Sequence, residues 1–151
     1  MNMSKIEIKE FSGEVIYTYE GENATIKDAV EDAVKKGVNL SLAVIRNANL
    51  EGADLCGANL YRADLEGANL EDVNLEIAFI KNAVLKRANL CGANLYNADL
   101  EETDLSDANL TRASLEFTHL YGTNFFNANL KDANLKDTEL EKYQNWVDLA
   151  Q

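Results

Sequence analysis

From Leu40 to Leu140 a large apolar residue stands at every fifth position: Leu at eighteen sites, and Ile45, Ile80 and Phe125 at the others. Two residues before each stands a small one. It is Ala at most sites, Val38 and Val73 at two, and Thr103, Thr118, Thr123 and Thr138 at four. The register holds without a slip over twenty-one units. A period of five matches neither the 3.6 of an amphipathic helix nor the 2 of an alternating strand. It marks a repeat architecture, in which each unit buries its apolar side chains only by stacking on its neighbours. The two positions that barely vary are the core. The small one is small because a narrow, close-packed interior has no room for a second large side chain.

The flanks have ordinary periods. Lys5-Ile6-Glu7-Ile8-Lys9 alternates polar and apolar, Ser12-Gly13 offers a turn, and Val15 to Tyr19 is rich in β-formers, so residues 5–19 read as a hairpin. Gly21-Glu22-Asn23 breaks the second strand. Thr25 follows as an N-cap, with Asp28 at near capping-box spacing. Ile26, Ala29, Val30, Ala33 and Val34 form one helical face, and Gly37 stops the helix. At the far end Thr138 and Glu141 again have capping-box spacing, and Leu140, Tyr143, Trp146, Val147 and Ala150 line a short terminal helix. The expected organisation is a hairpin with a capping helix over 1–37, the repeats over 38–142, and a short C-terminal helical cap over 143–151. A stack of repeats leaves open ends, and these flanks are its natural caps.

Composition narrows the class. The chain has 151 residues and a formal net charge of −12, of which the segment 38–140 carries −8 from 8 basic and 16 acidic side chains. Acidity spread in this way disfavours phosphate backbones and anionic membranes, whose binding needs clustered Lys and Arg. Apolar residues never run to 18 in a row, and the first residues carry no signal-peptide stretch. The expectation is a soluble cytoplasmic protein with no direct nucleic-acid or membrane partner. The chain contains no proline, as suits a backbone whose N–H groups are nearly all committed to ladders.

The units Ala48-Asn49-Leu50-Glu51-Gly52, Ala53-Asp54-Leu55-Cys56-Gly57 and Ala58-Asn59-Leu60-Tyr61-Arg62 resemble the A(D/N)LXX signature of the pentapeptide repeat family. That resemblance implies an all-β solenoid: a right-handed quadrilateral β-helix with one pentapeptide per side and twenty residues per coil. The central Leu and the Ala before it point inward. About five coils at roughly 4.8 Å each give a rod roughly 25 Å long. Residues twenty apart then stack, and Asn49, Asn69, Asn89, Asn109 and Asn129 form a structural amide ladder.

Candidate chemistry is sparse. His119, the one histidine, lies a coil beyond Asp99 in the same column, which reads as a surface pair without a nucleophile. Glu51, Glu71 and Asp72, and Glu101, Glu102 and Asp104, gather carboxylates on flat sides that do not wrap a cation. Cys56 and Cys91 face outward on different sides, nearly two coils apart, and read as free thiols with no charged partner visible in the sequence. No catalytic, metal or cofactor residues are assigned, and the chain is not read as an enzyme. Phe117, Tyr121 and Phe126, in outward slots near the C-terminal end, with Tyr143 and Trp146, form the candidate interface. The expected function is a rigid, non-enzymatic binding module or scaffold for an unidentified protein partner, dimerising through the C-terminal end. The alternative rests on the resemblance alone: quinolone-resistance members of that family are acidic dimeric rods that occupy the DNA-binding saddle of DNA gyrase, so an acidic DNA mimic acting on gyrase or topoisomerase is the second reading.

Overall fold

The computed structural model describes residues 3–143. Its central segment is a four-sided solenoid, and the unit around Leu90 shows how five residues make one side. The Leu90 N–H donates to Asn109 O at 2.7 Å and the Gly92 N–H to Thr111 O at 2.9 Å, both one coil ahead. The Asn89 N–H donates back to Ala68 O at 3.0 Å, and the Ala93 N–H closes the corner on Leu90 O at 3.0 Å. The fifth N–H, of Cys91, goes to the Asn89 side-chain Oδ1 at 3.3 Å. Every donor of the unit is therefore used, which is the accounting that a buried backbone demands. The Asn/Asp slot has a local task, capping the N–H two residues on. Asp54, Asn59, Asp64, Asn74 and Asn94 repeat it at 3.1–3.3 Å.

From Val44↔Asp64 to Ser114↔Asn134, every isolated bridge joins residues twenty apart in parallel. Inside, the central Leu residues and the Ala residues from Leu40 to Ala113 are almost wholly buried. Thr fits the Ala slot because its hydroxyl finds a carbonyl of the preceding coil. Thr103, Thr118 and Thr123 donate to Ile80 O, Leu95 O and Leu100 O at 2.9, 2.8 and 2.8 Å. Among the described residues no buried side-chain nitrogen or oxygen lacks a partner. The amide ladder runs from Asn49 through Asn69 and Asn89 to Asn109 at 3.0–3.2 Å. Contrary to the expected unbroken column, it stops there: the Thr111 hydroxyl takes Asn109 Oδ1 at 2.6 Å.

The residue that opens each corner lies in the left-handed region, with φ of 51–72° from Asn47 to Asp137. Gly, Asn and Asp tolerate this; a β-branched or bulky side chain pays a steric cost there. Arg62, Arg87, Glu102 and Arg112 hold it as well, and Ile77 (φ 51°) and Phe117 (φ 57°) are the β-branched and aromatic residues among these corners.

At the N-terminal end, β1 (Met3–Glu10) and β2 (Val15–Glu22) form an antiparallel hairpin. It is longer than the 5–19 expected, and Gly21 pairs with Ser4 inside the sheet instead of breaking it. The chain turns at Asn23 (φ 52°). Thr25 and Asp28 form a reciprocal capping box on α1 (Ile26–Lys35), which ends before Gly37 (φ 69°). Its Ala29, Val30 and Ala33 are buried in the same core as the repeats. The hairpin and helix meet the first coil side by side. On one side β1 pairs with β3 (Ala43–Val44) through Lys9↔Val44 and Glu10↔Ala43. On the next the Lys27 ammonium donates to Glu51 O at 2.7 Å, and on the one after that the Asp54 N–H donates to Glu31 Oε1 at 2.8 Å.

The C-terminal end is built differently. The Leu120 N–H is met by Glu139 Oε2 and the Asp137 N–H by Glu141 Oε2, both at 3.2 Å. A single 3-10 turn, η1, follows at Glu141–Tyr143. Among the described residues no acceptor meets the N–H groups of Phe125, Asn127, Leu130 and Asp132, which occupy the ladder positions of the other two sides. The remainder of the expected terminal helix, Trp146 included, lies outside the described residues.

The alternation of inward and outward positions sets a sharp contrast between neighbours. Leu90 is fully buried, and Leu→Ala at such a site costs about 2–5 kcal/mol against a total of about 5–15. Leu90→Asp should cost more, because it strands a charge in the core. Cys91→Glu should shift stability by under about 0.5 kcal/mol, as surface changes do. Urea denaturation of the two variants checks this, and equal losses would contradict the inward assignment.

Candidate functional site

The sequence-derived interface residues do not form one cluster. Tyr121 and Phe126, 71% and 70% exposed, stand on adjacent sides of the same coil with no ring contact to each other. Phe117 turns towards Tyr96 of the coil before, edge-to-face with ring centroids 5.5 Å apart. Tyr143 belongs to η1 and Trp146 lies outside the described residues.

Phe117 is instead part of a second apolar group that the period-five reading passed over. Tyr61 stacks on Phe79 at 5.7 Å, with 20° between the ring planes. Ile77 lies between the two aromatic pairs, its N–H on Tyr96 O at 2.9 Å. These residues follow one edge of the rod. The available signal was departure from the unit's own pattern: Phe79 fills the Asn/Asp slot, and Ile77 the slot that otherwise takes Gly, Asn or Asp on most coils.

The polar candidates resolve into structure. Asp99 and His119 share a backbone bridge, but Asp99 Oδ1 accepts from the Glu101 N–H at 3.0 Å and no hydrogen bond joins the two side chains. Among the described residues no group of three His, Cys, Asp or Glu is placed to hold a metal ion. Asp64 is almost fully buried although its slot is outward, because Arg46 Nε covers it at 2.5 Å. Glu66 is held by Arg87 and by Arg46 Nη1 at 3.5 Å, Glu101 by Lys81 at 2.5 Å, and Glu116 and Asp137 by Lys136 at 3.5 and 3.6 Å. The Lys81 ammonium holds the Glu101 carboxyl below the usual carboxylate range. A good part of the acidity is thus locally neutralised.

Two open grooves bear on the candidate surfaces, apart from one of about 410 Å³ beside the helix, lined by Glu31, Val34, Lys35, Asp54 and Cys56. One of about 590 Å³ lies where the hairpin overhangs the rod, lined by Lys9, Glu10, Phe11 and Arg46 among others. Both its cations are engaged, Lys9 with Glu7 at 3.1 Å and Arg46 with Asp64. The other, of about 510 Å³, continues the Phe117 edge past His119 to Asp137 and Glu139.

The two cysteines are free and differ in surroundings. Arg112 Nη2 lies 3.3 Å from Cys91 Sγ, a charged partner that the sequence did not reveal. Cys56 is more exposed, yet burial first, and then the Glu76 and Asp54 carboxylates, push its thiol up. A thiol reagent should label both residues without denaturant, since the thiolate is the reacting form and both are within reach. Cys56 should label more slowly at neutral pH than its exposure suggests, and its rate should still climb at pH values where an ordinary thiol has levelled. Glu76→Gln should speed Cys56 labelling a few-fold and leave Cys91 unchanged. An unaltered Cys56 rate would show that the carboxylate has no hold on it.

Among the described residues no helix is long and apolar enough to cross a membrane. A family model, pentapeptide repeats, matches residues 39–76, 78–107 and 108–142 in eight copies. A pentapeptide repeat protein from Nostoc Pcc 7120 is 29% identical over 74% of this chain and 96% of its own, with a TM-score of 0.56. A pentapeptide repeat protein from the Arabidopsis thaliana thylakoid lumen is 28% identical over 72% of each chain, with a TM-score of 0.39. QnrB1, a plasmid-mediated fluoroquinolone resistance protein, is 21% identical over 63% of this chain and 62% of its own, with a TM-score of 0.28. No curated protein matches the chain.

Proposed function

Because the chain belongs to the pentapeptide repeat family, whose known structures are right-handed quadrilateral β-helices, we propose that it is a rigid, non-enzymatic binding module or scaffold of about five coils. The observation that carries this reading is the division of labour within each unit. Backbone and core are satisfied inside the coil, which leaves the slot after the central Leu free to vary and lets the other two outward slots vary at a modest cost. Members of the family are generally structural or binding modules. A cytoplasmic location accords with two free cysteines.

The partner surface most simply available is the C-terminal end. There, two sides present ladder N–H groups without acceptors among the described residues, beside exposed Tyr121 and Phe126. Two-fold pairing of such ends covers both open edges at once. We assign the interface to Tyr121 and Phe126, with Tyr143 and Trp146 of the sequence-derived set, and a second copy as occupant; Phe117 of that set packs on Tyr96 instead. Light scattering at tens of micromolar should give twice the 16.7 kDa chain mass for the wild type and the single mass for Phe126→Ser with Trp146→Ala. A monomeric wild type removes the end-to-end contact.

The second reading is an acidic mimic of DNA acting on gyrase or topoisomerase, favoured by the net charge of −12. Magnitude weighs against it. Duplex DNA of about 25 Å carries about 15 phosphate charges, whereas the repeats carry a net −8. Mimicry requires inhibition of gyrase supercoiling by the dimer. Undiminished supercoiling leaves the scaffold reading alone.

A further inference from the structure

The apolar edge of Tyr61, Ile77, Phe79, Tyr96 and Phe117 costs the fold something at each departure from the repeat. Ile77 and Phe117 hold left-handed backbone, which is strained for a β-branched and for a bulky residue. Strain of this kind persists where function requires it. Burial returns only part of that cost, since Ile77 is 53% and Phe117 43% exposed. Phe79, 40% exposed, stands where Asn or Asp would cap the N–H two residues on, and no side chain caps the Lys81 N–H. The Tyr61–Phe79 and Tyr96–Phe117 ring contacts link neighbouring coils, and Ile77 lies two residues before Phe79 in the chain and in the same corner column as Phe117.

We propose that this edge is a docking surface for a basic amphipathic helix of another protein. Charge selects the occupant. The rim carries Glu76, Asp99, Glu101, Glu116, Asp137 and Glu139 against the cations Arg62, Lys81 and Lys136, and two of those cations already pair with rim carboxylates. A second copy would bring the same acidic rim against itself; a helix with Lys or Arg flanking its apolar stripe is complementary. Spacing selects the element. Ile77 and Phe117 occupy one corner column two coils apart, about 10 Å at the strand repeat. Residues seven apart on a helix are separated by about 10.5 Å. One helix along the rod axis therefore sets apolar side chains seven apart on both, with the intervening turn over Tyr96, in the helix-on-groove mode of recognition.

The proposal rests on the reading of the rod as a binding module but not on its end-to-end contact, so light scattering and peptide binding report the two separately. The probe is a synthetic helix-forming peptide of about 18 residues, with Leu on one stripe and Lys elsewhere. The controls are a scramble of the same composition and a version with Glu for Lys. Each is titrated by fluorescence anisotropy into the full chain and into Ile77→Asn with Phe79→Asn. These substitutions restore residue types that the repeat uses in those slots, so the variant's melting temperature should equal or exceed that of the wild type. The patterned basic peptide should bind wild type at least tenfold tighter than the scramble, and lose that margin on the variant. Equal binding of patterned and scrambled peptides, unchanged binding by the variant, or a lowered melting temperature of the variant would each overturn the proposal. So would a dimer that Ile77→Asn with Phe79→Asn dissolves, because a second copy would then occupy the edge.

Discussion

A chain that closes on itself every twenty residues must direct its backbone donors along the rod axis, and the coil is too narrow for more than one large side chain per side. Both demands fall on the same five residues. The central Leu and the Ala two before it fill the interior, as at Leu90 and Ala88, and three of the five N–H groups pass to neighbouring coils. The remaining two close the corner and meet the Asn or Asp side chain. Proline has no place in such a unit, and the chain contains none. Core and ladder reinforce each other, since a slip of one residue would turn every Leu outward and uncap every corner.

What that constraint leaves free is the surface, and the protein uses it unevenly. Most outward slots hold charged or amide side chains that pair up and down the columns, such as Lys81 with Glu101 and Asn94 with Asn74. Acidity that looks uniform in the sequence is therefore broken into neutralised stretches. The apolar departures concentrate on one edge and at the C-terminal end, where they cost the fold something and return only part of it in burial. An interaction protein of this design keeps its scaffold and its recognition residues in separate positions of one short repeat.

The two ends show how an open stack is handled. At the start, helix side chains Lys27 and Glu31 and strand β1 each take one side of the first coil. At the far end Glu139 and Glu141 fold back to cap two sides. The same problem, unpaired ladder groups, is met once by a packed element and, among the described residues, once by single carboxylates.

The period and the inward residues were legible from Leu40 to Leu140 because a strict repeat leaves one way to bury its invariant positions, while the twenty-residue coil was implied only by the resemblance to the family. The capping box at Thr25 and Asp28 was legible because it is local. Tertiary structure alone decided what depends on residues far apart in sequence but one coil apart in space. It buried Asp64 under Arg46, brought Arg112 to Cys91, ended the amide ladder at Thr111, and separated Phe117 from Tyr121 and Phe126 to join it to Tyr96. The repeat fixes which slot each side chain occupies; which partner it meets there depends on the corner geometry and on the rotamers of neighbours about twenty residues away, and no spacing in the sequence encodes those.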